Sequence, residues 1–200
     1  MRKLFEIGGV IAGVVLIAFG VAAIVMGVNG RSDVRAAISE QKITATPDAA
    51  EITNGELEPG QAIKTGAQAR AFADIMEFHA LEATEGKRFA EMGRFLTASG
   101  EETSDEAAAA KDPKTGQPVE NGLRNLWVTE TGLSTALNVS YMAEQMALFG
   151  IVVGVALLLS GIGFIVLALG GALRRREWAP AVASSEAAHQ TSRQTATATG

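Results

Sequence analysis

The chain has 200 residues, 48% of them hydrophobic, no cysteine and a formal net charge of −5. An acidic balance argues against nucleic-acid binding, which needs a concentrated basic face, and the lack of cysteine excludes disulfides and cysteine metal clusters. The hydrophobic residues are unevenly spread, and that distribution organises the rest.

Residues 7–28 form a run of 22 without a charged side chain, and residues 146–173 a run of 28. A helix needs roughly 20 apolar residues, each rising about 1.5 Å, to cross a hydrocarbon core of about 30 Å. Both runs are long enough. The first also has a signal-peptide reading, with a basic start (Arg2, Lys3) and small residues at Val21, Ala22 and Ala23. A signal's apolar region is typically about 7–15 residues, so the longer run predicts an uncleaved span.

The two runs share a pattern. Gly9, Gly13 and Gly20 in "GVIAGVVLIAFG" match Gly150, Gly154 and Gly161 in "GIVVGVALLLSG". Gly27 lies seven residues after Gly20, and Ala168 holds the equivalent place in the second run. Such spacings put small residues near one helix face and let backbones approach closely in lipid. The sequence leaves open whether the glycine faces pair within one chain or between two. In an antiparallel hairpin the shared order would not align level by level, with Gly9 near the inner leaflet and Gly150 near the outer.

Between the runs the sequence leaves two readings open: residues 29–41 carry the first helix on for a few turns, or Asn29 and Gly30 break it and Ser32 or Asp33 caps a new helix. Residues 42–66, rich in Pro, Gly, Thr and Asn, predict irregular chain with a short strand at most. Within them Thr46-Pro47-Asp48 reads as a helix start. Residues 69–96 predict two helices interrupted at Gly86: Phe72, Ile75, Met76 and His79 share one face, and Phe89, Met92, Phe95 and Leu96 continue the pattern. Residues 97–122 are polar and punctuated by Gly and Pro, predicting a mobile surface loop. From Leu123 the apolar spacing returns, and no proline interrupts it before Leu173. One long helix rising out of the second span accounts for this.

The expected fold is therefore an all-α membrane protein: two transmembrane helices in an antiparallel hairpin, with a mainly helical extracytoplasmic domain over residues 29–145 between them. Orientation follows from the basic residues beside each span. Arg2 and Lys3 precede the first and Arg31 and Arg35 follow it, while Arg174, Arg175 and Arg176 directly follow the second. The triple arginine places both termini in the cytoplasm. Residues 30–145 carry 11 Lys/Arg against 19 Asp/Glu, net −8, and the remainder is net +3. This distribution suits a bacterial plasma membrane protein. The tail, residues 174–200, has no periodicity and is expected to be disordered.

Few residues suggest chemistry. His79 and Glu82 are spaced to share a helix face, but a metal needs more than two converging ligands, and a histidine packed on an apolar face is the expected reading. Trp127 reads as core. Phe72, His79, Phe89 and Trp127 are the residues able to line a ligand pocket in the outer domain. No nucleophile elbow, phosphate loop or paired-histidine site occurs, and neither apolar run holds an ionisable residue of the kind ion paths use. No metal and no cofactor are expected.

Three stretches, residues 29–48, 69–95 and 109–164, resemble a family of uncharacterised two-span membrane proteins of actinobacteria. The resemblance covers most of the chain outside the tail and implies the same topology, but it carries no catalytic residue. Some members bear the label of aromatic ring-opening dioxygenase, a chemistry that needs iron on two histidines and a carboxylate. The only histidines here are His79 and His189, on opposite sides of the expected membrane. The expectation is a non-enzymatic accessory or interaction subunit whose partners are the bilayer and a second copy or another membrane protein. The alternative is a small-ligand-binding module on the same anchors.

Overall fold

The structure, a computed structural model, describes residues 2–170, with side chains from Glu6 onward. It is mostly helical. Helix α1 spans Arg2–Glu40, α2 Ala49–Ile52, α3 Gly66–Ala83 and α4 Gly122–Leu169; strands β1 (Phe95–Leu96) and β2 (Glu102–Thr103) lie between α3 and α4. At about 1.5 Å per residue α1 and α4 are about 58 and 72 Å long, roughly twice a hydrocarbon core. Arg174, Arg175, Arg176 and the tail lie outside the described residues, as do the side chains of Arg2 and Lys3.

Both long helices contain a segment apolar and long enough to cross a membrane, and only 11% and 17% of these segments are buried within the protein. The central helix of a soluble protein would be mostly covered. Val14, Phe19, Val25, Met26, Phe149, Val152 and Leu159 are all about half exposed or more.

The chain divides into two compact units. In the one formed by residues 1–15 and 160 onward, a Cβ placed on Gly13 would lie 2.7 Å from the Gly161 carbonyl oxygen, and one on Gly9 would lie 3.2 Å from Ala168 Cβ. In the other, residues 16–159, a Cβ on Gly20 would lie 2.7 Å from the Gly154 carbonyl oxygen, and one on Gly27 would lie 2.6 Å from that of Ala147. In both units the helix backbones touch where side chains are absent. The shared glycine order cannot align antiparallel helices, but a seven-residue series reads the same in either direction, so positions 13 and 20 meet 161 and 154. Gly150 stands apart: a Cβ there would have the Ala23 carbonyl oxygen, 3.9 Å away, as its nearest neighbour.

No break occurs at Asn29-Gly30, where α1 runs on. A glycine within a helix costs only about 1 kcal/mol. Contacts beyond it outweigh that: Ile38 is 4% exposed in the core, Val34 packs against that core, and Arg31 and Arg35 both bond to Glu144. Helix α1 ends at Glu40, and Lys42 turns the chain with φ +53°.

The core of the larger unit gathers Ile38, Ala45, Ala49, Leu57, Ile63, Ala69, Ala71 and Ile75, with Phe72 and Leu137 against it. Residues 43–45 and 61–63 pair antiparallel around it, Ala45 N–H donating to Gln61 O and Ile63 N–H to Ile43 O. The Thr46-Pro47-Asp48 start leads into α2, although the Asp48 side chain caps nothing. Helix α3 begins at Gly66, three residues before the start expected at Ala69. Thr65 and Gln68 form a reciprocal capping box there, each side chain bonded to the other's backbone N–H.

The second helix expected after Gly86 does not form. Glu85 and Gly86 both have positive φ (+53° and +81°), and the chain continues as a 3₁₀ turn, Phe89–Glu91, and then β1. Residues 97–122 fold back on that strand. Thr103 pairs with Phe95 and Glu102 with Leu96, and Leu96 N–H also donates to Val119 O at 3.0 Å. Asn121 closes the arrangement: its amide donates to Gly93 O, and its side-chain oxygen accepts the Leu123 and Arg124 N–H groups that open α4.

Candidate functional site

Two features of the larger unit bring α1, α3 and α4 together, a shared carboxylate and an apolar cleft beside it. The carboxylate is Glu144, on α4 two residues before the apolar run starts, with a side chain 7% exposed. Its Oε1 accepts Arg31 Nε at 2.9 Å and the Arg35 guanidinium at 2.7 Å. Its Oε2 accepts the Gly66 N–H at 2.6 Å, at the first turn of α3. One side chain therefore holds two points on α1 and the N-terminus of α3, where the helix dipole also favours negative charge. Gly66 is needed for this approach, since a Cβ there would lie 2.8 Å from Tyr141 Cα and 3.0 Å from Glu144 Oε2. Burial works to raise the Glu144 pKa, but the hydrogen bonds from Arg31, Gly66 and Arg35 outweigh it and hold the carboxyl below the usual range. Arg70, one turn along α3 from Gly66, places its guanidinium 5.1 Å from the Tyr141 ring centre.

The cleft has a volume of about 640 Å³. Its walls are Ala37 and Ile38 of α1, Phe72 and Met76 of α3, and Leu133 and Leu137 of α4, with Gln41 and Ser140 its polar members. Helical register relates it to the carboxylate. Arg31, Arg35 and Ile38 follow one face of α1 at spacings of four and three, and Glu144, Ser140, Leu137 and Leu133 follow one face of α4. The ionic cluster thus lies one turn nearer the apolar runs than the cleft does.

The four residues anticipated as a pocket are dispersed. Phe72 lines the cleft. His79 Nε2 lies 2.8 Å from Asp48 Oδ2, tying α3 to the start of α2, and Phe78 sits edge-on to its ring. Trp127 is core, 4% exposed against Ala80 and Met92, with its indole N–H donating to Lys87 O at 2.9 Å. Phe89 is 39% exposed and carries the Arg124 guanidinium 3.7 Å from its ring centre. Among the described residues, no three His, Asp or Glu side chains gather as a metal site would require. Replacing Trp127 with Phe should cost about 1 kcal/mol for the lost hydrogen bond. Replacing it with Ala should cost about 3–5 kcal/mol for the cavity as well. Thermal unfolding of the detergent-solubilised protein measures both, and equal losses would show that Trp127 acts by its N–H alone.

Glu144 carries more of the architecture than any residue singled out for chemistry in the sequence. A signal for it existed. Arg31 and Arg35 sit three and seven residues past the first apolar run, Glu144 two residues before the second, and in a hairpin those positions meet. Glu130 is a second buried acid, 6% exposed, accepting the hydroxyls of Ser134 at 2.5 Å and Thr131 at 3.3 Å on its own helix.

Set beside models of protein families, curated proteins and solved structures, the chain matches none, so its functional reading rests on the geometry above.

Proposed function

We propose that this is a two-span plasma membrane protein with both termini in the cytoplasm, whose outer domain, residues 29–145, serves as a non-enzymatic interaction or accessory module. The observation that carries the reading is the joining of the two apolar helices to the outer domain through Glu144. Such a joint holds a domain at a fixed place on a membrane hairpin. Contact of α1 with α4 at Gly20–Gly154 and Gly27–Ala147 supports retention of the first span over its removal as a signal peptide. The three arginines directly after the second span outnumber Arg31 and Arg35 beyond the first, and so form the stronger cytoplasmic signal. The side chains with the most chemical potential are engaged in holding the domain: His79 on Asp48 and Trp127 on Lys87.

Cysteine labelling tests it. In intact cells, Ser104→Cys should react with a membrane-impermeant maleimide, and Ser192→Cys should react only after permeabilisation. The opposite pattern would invert the topology, and labelling of both in intact cells would remove the two-span reading. For the accessory role, crosslinking in native membranes followed by purification should return a stoichiometric partner or a second copy. Recovery of the chain alone would count against it.

A further inference from the structure

We propose that the cleft between α1, α3 and α4 takes up an acyl chain of an anionic phospholipid from the same membrane, with the lipid phosphate held at Arg31 and Arg35. The inference rests on the two-span reading. Four observations converge on that occupant. The cleft's 640 Å³ falls within the range of about 300–1,000 Å³ typical of small-ligand sites. Its walls are aliphatic and aromatic, and only Gln41 and Ser140 offer hydrogen bonds. A peptide seated there would bury backbone N–H and C=O groups with almost nothing to receive them, whereas an acyl chain brings none. Depth is the third. Arg31 and Arg35 lie three and seven residues beyond the first apolar run, about 4.5 and 10 Å at helical rise, the level of lipid headgroups. Ile38 and Ser140 follow one turn further out, so a lipid whose phosphate stays at its ordinary depth can turn a chain outward into the cleft.

Charge is the fourth. Two guanidiniums share one carboxylate, and each arginine side chain remains 40% exposed while Glu144 is 7% exposed. The cluster thus presents net positive charge to the headgroup zone, suited to a phosphate through charge-assisted hydrogen bonds. A phospholipid with a net negative headgroup meets both ends of the site; a zwitterionic one offsets part of the attraction with its own cation.

The test uses the full-length protein in nanodiscs containing phosphatidylglycerol with a diazirine near the end of one acyl chain. After irradiation, mass spectrometry locates the adducts. Adducts are expected on Met76, Leu133 or their neighbours in the cleft, in addition to those along the spans. Ala136 is exposed and lines the cleft, so Ala136→Trp should fill it and lower cleft labelling about tenfold, the equivalent of 1.4 kcal/mol. Val139→Trp, equally bulky but outside the cleft, should leave labelling unchanged, and unaltered melting of both variants confirms that they fold. The matching phosphatidylcholine probe should label the cleft less. Adducts confined to the spans, equal labelling in wild type and Ala136→Trp, or equal labelling by both probes would each overturn the proposal. So would cleft labelling that appears only when a dimer is dissociated, which would make a second copy the occupant. Extraction of the protein from membranes by alkaline carbonate would instead remove the two-span reading itself; an integral protein without cleft adducts loses only the lipid site.

Discussion

Leucine at Gly20 is expected to force α1 and α4 apart. A Cβ at that position would lie 2.7 Å from the Gly154 carbonyl oxygen and 2.8 Å from the Leu158 nitrogen, and both are backbone atoms that cannot swing aside. The reciprocal substitution meets the same obstacle, since a Cβ on Gly154 would lie 2.7 Å from Gly20 O and 2.9 Å from Ile24 N. Overpacking costs about 1–3 kcal/mol in ordinary cores, where side chains can shift. Here the helices themselves must separate, so Gly20→Leu and Gly154→Leu should each reach or exceed about 3 kcal/mol. Gly8 and Gly163 supply the control, because a Cβ at either meets nothing within 4 Å. Leucine at those sites should stay within about 0.5 kcal/mol of wild type. Unfolding by denaturing-detergent titration compares the four. Equal stability of Gly20→Leu and Gly8→Leu would show that close backbone approach does not hold the pair together.

The second large effect is expected at Glu144. Glu144→Gln keeps the shape but removes the charge that two guanidiniums share, and its amide group has a donor where an acceptor is needed. Removing one partner of a buried ion pair costs about 3–5 kcal/mol; the arginines' exposure reduces this, and a loss of about 2–3 kcal/mol at neutral pH is expected. The loss should depend on pH. The folded-state pKa of Glu144 lies below its unfolded value, so its contribution is complete above the usual glutamate range and disappears as pH falls through the folded value. Wild type should therefore lose stability on acidification more steeply than Glu144→Gln, the two converging at the acid end. Hydrogen exchange gives the local readout, because the Gly66 amide loses its acceptor and should exchange faster in the variant. A stability difference that stays constant with pH would exclude the ionised carboxylate as its source.

What was legible in the sequence follows from which interactions are local. The two apolar runs could be read because length and composition alone decide whether a helix can span. The neighbourhood of the α2 start could be read because Thr46-Pro47-Asp48 concerns adjacent residues, although Asp48 and not Thr46 stands at the N-cap and Pro47 lies outside the helix. The sequence could not choose between continuation and a break of α1 at Asn29-Gly30, because propensity there favours a break and the compensating contacts come from Glu144, more than 100 residues away. Residues 87–96 misled for a related reason. Their apolar spacing matches a helix, yet Glu85 and Gly86 turn the chain, and Phe95 and Leu96 find partners in residues 102–103 and 119–120. Of the candidate site, Phe72 was legible by periodicity, while the cleft it lines needed Leu133 and Leu137 brought up from α4.

The glycine contacts also limit how this chain can meet another. In lipid, a groove of small residues is the usual place for a second helix to settle, and around Gly20 and Gly154 that groove is already occupied by the chain's own other helix. The surfaces left outward carry Phe19, Met26, Met146 and Phe149, each at least 66% exposed. These are bulky, flexible groups that acyl chains solvate as readily as protein does. On the two-span reading, a partner within the bilayer would have to compete with lipid on side-chain fit alone, and firmer specificity would have to come from polar groups outside it.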